Sequence, residues 1–390
     1  MVVNKAPGNI VSCKQPIYFE FQLSDYGPEF YVKLVLQIFE ASNTRTVTLY
    51  SYTSPDQIVK FNLRTLLDDY FKEKITSYKA LDDNTVQILD ADNFVEVTAT
   101  FTEHTDSGWG SEYKWGETKG DVLAFSGGFS YESWPNEKYF SDWFAGFTLK
   151  PFFTWRPRTS LIGINTPMYL TYCTIGGTLA LAIKTTITYT DASTATARFF
   201  DTSYANKLLS FPVGISQLNL NSLNPSKTIA KYKVEVVNSS NVAISEAMNF
   251  IVDYNYYETE VNCLFKDSLS GRDTVRFVGK AEFNSEFNRS VLEFFNGEYD
   301  NAIGKSFINE NLETGGFKLN TGYITRTEVD WLRDLFLSKL LHLVHKGCVI
   351  PSQIITKKYA NPLSSDLNSL TVEFDYLTKN SQYTPSKIVI

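Results

Sequence analysis

Chemistry in a protein needs histidines, cysteines, carboxylates or hydroxyls gathered together, and few in this sequence are spaced for that. The three histidines are His104, His342 and His345. The last two lie three apart in Leu340-Leu341-His342-Leu343-Val344-His345, followed by Lys346-Gly347. On a helix they would share a face. The run reads instead as a strand entering a hairpin, where residues three apart point to opposite faces. A zinc site also needs further ligands, and none are spaced for it, so no metal ligand is assigned. His104 reads as a solvated loop residue. Cys13, Cys173, Cys263 and Cys348 are dispersed, with no C-x-x-C. They read as buried small hydrophobes; the alternative is two disulfides whose pairing the sequence leaves open.

Adjacent carboxylates occur at Asp68-Asp69 and Asp82-Asp83, a pattern common at helix surfaces and turns. A glycosidase needs two acids facing each other across a cleft at a defined separation, and nothing here nominates such a pair. There is no G-x-S-x-G elbow, P-loop or G-x-G-x-x-G. Gly127-Gly128 and Gly176-Gly177 read as turns or bulges. No catalytic residue and no cofactor is assigned. The reading is a protein that is not an enzyme, with a cryptic hydrolase the least favoured alternative.

One feature pulls toward a function. Five of the six tryptophans, Trp109, Trp115, Trp134, Trp143 and Trp155, fall in one glycine-rich stretch. Flat aromatic rings serve as core packing, as anchors in protein interfaces or as platforms for sugars. All three uses stay open. Trp109, Trp115, Trp134 and Trp143 are the candidate partner-contact residues.

The elements around these residues are mostly strands. Ile17, Phe19, Phe21 and Leu23 alternate with polar neighbours, the period of a half-buried strand. Tyr31 to Phe39 and Thr46 to Tyr52 flank the turn Ala41-Ser42-Asn43-Thr44. Leu63, Leu66, Leu67, Tyr70 and Phe71 recur at helical spacing. Strands are expected at Val86 to Ile88 and Val95 to Phe101. Further on, Thr190-Asp191-Ala192-Ser193 and Asn238-Ser239-Ser240-Asn241 mark hairpins between apolar runs. Strands are also expected around Asp267 to Gly271. A polar stretch from Asn296 to Gly316 precedes the capping box Thr325-Arg326-Thr327-Glu328. The helix it opens carries Val329, Leu332, Leu335 and Phe336 on one face, with Trp331 alongside, and ends near Ser338-Lys339. Strands follow at Leu340 to Val344, Cys348 to Thr356 and Leu370 to Leu377.

The expected fold is mainly β, with tandem immunoglobulin-like or fibronectin-like β-sandwich units. A C-terminal α+β domain with one capped helix completes it. The expected division is 1–110, an N-terminal β-sandwich with a short helix; 111–159, a Gly/Trp-rich excursion; 160–253, a second β-sandwich; and 254–390, the C-terminal domain. With 390 residues the chain suits two to four domains. Its 29 Phe and 23 Tyr favour pleated surfaces over helices. A net charge of -7 without a basic run argues against nucleic-acid binding. No signal peptide and no run of membrane-spanning length is seen, so a soluble chain without membrane insertion is expected.

Several segments share a further likeness. They are Asn9-Ile10-Val11-Ser12 with Pro16-Ile17-Tyr18-Phe19, then Thr185-Thr186-Ile187-Thr188-Tyr189-Thr190-Asp191, then Leu223-Asn224-Pro225-Ser226-Lys227. Leu269-Ser270-Gly271-Arg272-Asp273 and Trp331-Leu332-Arg333-Asp334-Leu335-Phe336-Leu337-Ser338 complete the set. In this order they resemble uncharacterised virion structural proteins of tailed phages and prophages of Bacteroidetes. The Trp-rich stretch carries none of the pattern, and the motifs bring no functional residues across. The resemblance implies a particle component of the tail or baseplate, made in the bacterial host cytoplasm. Its partners would be other virion proteins and copies of itself, with a host surface glycan or receptor as the alternative contact.

Overall fold

The computed structural model describes residues 2–23, 30–39, 44–73, 85–89, 94–106, 111–129, 139–175, 178–293, 306–358 and 367–380. The protein is mainly β. Among the described residues the longest helix, α1 (Arg64–Glu73), has 10 residues.

The N-terminal part holds β1 (Val2–Lys5), β2 (Ile10–Ser12), β3 (Tyr18–Gln22), β4 (Phe30–Phe39), β5 (Thr44–Tyr52) and β6 (Ile58–Asn62) ahead of α1. β7 (Gln87–Ile88), β8 (Phe94–Asp106) and β9 (Ser111–Phe125) follow α1. One sheet runs β1-β3-β6 and the other β2-β9-β8-β4-β5. Alternation decides which face turns inward. On β4, Val32, Leu34, Leu36 and Ile38 are buried while Lys33, Val35 and Gln37 face out. Phe101 on β8 meets Phe19 and Phe21 of the opposite sheet at 4.6 and 4.4 Å between ring centres. Each such ring contributes roughly 1.5–3 kcal/mol by leaving water. The Asn62 side chain accepts from Arg64 N at 3.1 Å, satisfying a donor at the start of α1. Leu67, Tyr70 and Phe71 of α1 are buried in the same core, as their spacing predicts.

The second part begins after α2 (Tyr139–Ala145). It holds β10 (Thr159–Ile162), β11 (Tyr169–Thr174), β12 (Leu179–Tyr189), β13 (Thr194–Tyr204), β14 (Lys207–Pro212), β15 (Ile229–Asn238) and β16 (Met248–Val252). The sheets are β10-β16-β15-β12-β13 and β11-β14-β7. The short β7 therefore leaves its sequence neighbours and joins this unit. Both hairpin turns form by Asx chemistry. Asp191 Oδ1 accepts from Ser193 N at 3.0 Å, and Asn238 Oδ1 accepts from Ser240 N and Val242 N at 3.0 Å.

The C-terminal part contains β17 (Val261–Lys266), β18 (Arg272–Phe277), β19 (Ala281–Glu293), β20 (Ser306–Asn320), β21 (Ile324–Thr325), α3 (Arg326–Trp331) and α4 (Arg333–Leu337). β22 (Leu341–His345), β23 (Cys348–Ile354), β24 (Leu367–Asn368) and β25 (Thr371–Asn380) complete it. Seven strands form one sheet, β18-β17-β22-β23-β25-β20-β19. The capping box is present in both halves: Glu328 N donates to Thr325 Oγ1, and Thr325 N donates to Glu328 Oε2 at 2.8 Å. The expected single helix is two, broken at Leu332. Trp331, Leu332 and Leu335 are buried in the sheet's core, and Phe336 is only partly so. The polar stretch before the capping box is different from its reading. From Ser306 it is strand β20, paired with β19. Ser306–Leu312 pairs with β19 alone and β25 joins from Glu313 on, and the segment's polar composition shows no apolar alternation to read.

Residues 111–125, read as the start of an excursion, are β9, hydrogen-bonded to β8 and parallel to β2. Beyond it the chain enters a shared junction core. Leu123 and Phe125 of β9, Phe144 of α2, Phe153, Leu208 of β14 and Leu269 are buried together there. The three parts thus share one apolar contact. No described helix is long and apolar enough to cross a membrane.

Candidate functional site

Polar groups concentrate where the segment from Phe152 to Arg158 crosses the turn between β17 and β18. Phe153 N donates to Thr171 O at 2.8 Å, tying the segment to β11. Its next residues reach the C-terminal part. Asp273, at the start of β18, is 1% exposed and takes four hydrogen bonds and one further ion-pair contact. Arg156 Nε donates to Oδ1 at 2.9 Å, and Arg156 Nη2 also lies 2.9 Å from it. Thr274 N reaches Oδ1 at 3.0 Å. Thr154 Oγ1 and Trp331 Nε1 donate to Oδ2 at 2.6 and 2.8 Å. The Arg156 guanidinium lies 4.2 Å from the centre of the Trp331 ring and donates to Thr274 O. A buried ion pair holds only when its donors and acceptors find partners, and here both Asp273 oxygens and Arg156 Nε and Nη2 have them.

The turn itself is tight. Asp267 Oδ1 accepts from Leu269 N and Gly271 N at 2.9 and 2.7 Å. Burial pushes the Asp267 carboxyl well above the usual carboxylate range, with Asp273 and Asp334 adding to it. Gly271 is required by space: a Cβ there would stand 2.1 Å from Phe153 O. Gly127 is bound by the same turn, since its Cβ would stand 2.2 Å from Ser268 O. These glycines mark close backbone approach between parts far apart in sequence.

Next to this lock is a cavity of about 420 Å³ lined by Trp155, Pro157, Thr327, Asp330, Trp331 and Asp334. Trp155 is 41% exposed, and its Nε1 donates to Ser268 Oγ at 2.9 Å. Ser268 Oγ in turn donates to Asp334 Oδ2 at 3.1 Å, and Ser268 N donates to the same atom at 3.4 Å. Burial raises the Asp334 carboxyl to about 6; the Ser268 bonds and Arg333 pull the other way.

The candidate contact tryptophans are dispersed. Trp109 and Trp134 lie outside the described residues. Trp115 stands on β9 opposite Glu103. Trp143, on α2, is half-buried, its ring centre 5.3 Å from Phe129 and 6.0 Å from Trp155. Beside the half-buried Trp143, Trp155 is the more open ring, at 41% exposure.

His342 and His345 lie on one strand, as expected. His342 is buried, and burial with Arg272 lowers it to about 4. His345 Nδ1 is 3.3 Å from Glu260 O. Among the described residues no group of three or more His, Cys, Asp or Glu could hold a metal ion. His104 is not a loop residue. It sits on β8, stacked on Tyr31 at 5.2 Å with Nε2 2.8 Å from Thr102 Oγ1. The outer face of that sheet is aromatic enough to hold it. The cysteines are free; Cys13, Cys173 and Cys263 are buried but Cys348 is exposed, because it closes the Lys346-Gly347 turn at the end of the β22–β23 hairpin. Asp68 pairs with Lys14, while Asp82-Asp83 lie outside the described residues.

The lock residues gave no sequence signal. Arg156 and Trp331 stand 117 and 58 positions from Asp273, and no spacing rule links such distances. Neither a family model nor a curated protein matches this sequence.

Proposed function

We propose that this chain is a non-enzymatic structural component of a bacteriophage virion, of the tail or baseplate, assembling through protein–protein contacts. In this reading the first two parts are immunoglobulin-like or fibronectin-like sandwiches, and the C-terminal part is an α+β domain. The observation that supports a building block is the joint between parts. The Asp273–Arg156–Trp331 lock and the junction core hold three β units against one another, as a load-transmitting piece requires. The buried Asp273 of that joint is spent on internal donors, with four hydrogen bonds and an ion-pair contact to Arg156 Nη2. A hydrolytic pair would need acids facing substrate across a cleft.

The test is composition. Phage particles purified from a producing Bacteroidetes host should contain the chain at fixed stoichiometry by quantitative mass spectrometry, and antibody labelling should place it on the tail. Particles without it overturn the proposal. A glycan- or receptor-binding module is the second reading, favoured by the open indole of Trp155 beside a cavity. Saturable binding on a glycan array, lost in Trp155→Ala, separates it from the first.

A further inference from the structure

We propose that the cavity between Trp155 and Trp331 is a receptor for an arginine side chain presented by a partner protein. The inference rests on the reading above for its partner, but its chemistry comes from the cavity alone.

The six lining residues are two indoles, a proline, a threonine and two aspartates, with no basic side chain among them. Asp334 is only 8% exposed. Both of its hydrogen bonds fall on Oδ2, from Ser268 N and Ser268 Oγ. Oδ1 accepts none from the described residues, although Asp334 lines the cavity. A carboxylate oxygen left open at the cavity can accept a charge-assisted hydrogen bond from a cation that enters it. Arg156, the cation stacked on Trp331, is committed: Nε and Nη2 are on Asp273. Arg333 acts on Asp334 only through its field, against the burial that raises it.

The shape argues for guanidinium over ammonium. Arginine is planar, weakly hydrated and stacks on aromatic rings while its edge meets a carboxylate. The protein already uses this arrangement once, with Arg156 on the Trp331 ring at 4.2 Å and Asp273 at its edge. The cavity offers the same ingredients to a visitor: the part-exposed Trp155 ring, the Trp331 wall, and Asp334 with Asp330. Its volume, about 420 Å³, falls within the range of small-ligand sites.

The probe is N-acetyl-arginine amide, with N-acetyl-citrulline amide as a neutral control of the same shape. Titrations at constant ionic strength follow the tryptophan indole N–H resonances of the full chain, with Trp155 assigned by Trp155→Phe. The Trp155 signal should move and saturate at roughly millimolar arginine amide, the range expected of so small a ligand. Citrulline amide should bind at least roughly tenfold more weakly, because a charge-assisted hydrogen bond is lost. Asp334→Asn should weaken arginine binding to a similar degree. Asp330→Asn, farther from the buried turn, serves as the second variant should Asp334→Asn fold poorly, and it should weaken binding several-fold. Equal binding of citrulline and arginine amides overturns the proposal. So does an unmoved Trp155 signal, or arginine binding unchanged in both variants. The two readings fail separately: absence of the chain from particles leaves the titration standing, and a failed titration leaves particle composition untouched.

Discussion

Removing the carboxylate of Asp273 is the sharpest perturbation of this fold. The side chains of Asp273 and Arg156 are 1% and 4% exposed. Asp273→Ala leaves the guanidinium buried without its counter-charge, which by itself costs about 3–5 kcal/mol. It also strips the acceptor from Trp331 Nε1 and Thr154 Oγ1. Each buried donor left unsatisfied costs about 1–3 kcal/mol. Partial relaxation and water entry offset some of this, so a loss of about 4–6 kcal/mol is expected. The double variant Asp273→Leu with Arg156→Met removes both charges together. Such replacements are often near neutral, leaving mainly the two orphaned donors, roughly 2–3 kcal/mol. The two substitutions should therefore be non-additive by about 2 kcal/mol or more. The assay is urea unfolding of wild type, Asp273→Ala, Asp273→Leu, Arg156→Met and the double variant, followed by tryptophan fluorescence, since Trp331 sits in the lock. A loss below about 1 kcal/mol in Asp273→Ala, or strict additivity in the cycle, refutes the reasoning.

Other outcomes follow from the same region. Trp143→Ala removes the ring that packs on Phe129, Phe153 and Trp155; it should cost about 3 kcal/mol, and an unchanged melting temperature would place that ring outside the junction. Gly271→Ala sets a Cβ 2.1 Å from Phe153 O; backbone must shift, and a loss of about 1–3 kcal/mol in chemical denaturation is expected, whereas a neutral result contradicts the close approach. Asp334 supplies a pH dependence. Its folded value of about 6 lies above the unfolded value of about 3.9. The fold thus prefers the neutral acid: the stabilisation is full below about pH 4 and is lost as pH rises through about 6. The gap corresponds to at most about 3 kcal/mol. His342, lowered to about 4, acts in the opposite sense as pH falls, and Asp267 is raised as well, so the wild-type curve alone mixes several effects. Wild type should gain on Asp334→Asn by about 2–3 kcal/mol between about pH 7.5 and about pH 4 in urea unfolding. A pH-independent difference between the two would remove Asp334 from the account.

What the sequence by itself determined was local. Val32, Leu34, Leu36 and Ile38 announce an inward face because side chains alternate along any strand. Thr325 and Glu328 announce a helix start because the cap is closed by groups three residues apart. Asp191 and Asn238 turn the chain by bonding their own neighbours. Where the signal was mixed, reading stopped short. β9 is interrupted by Gly116 and Gly120, and β20 is too polar to show a period. Only the tertiary structure decided where the parts meet. Arg156, Asp273, Trp331 and Asp334 come from a linker, a strand and two helices, and each residue taken alone is an ordinary one of its type. What joins them is desolvation: the ion pair and the raised carboxyls of Asp334 and Asp267 exist because packing excludes water there. Burial is a property of the assembled chain, and no spacing in the sequence encodes it.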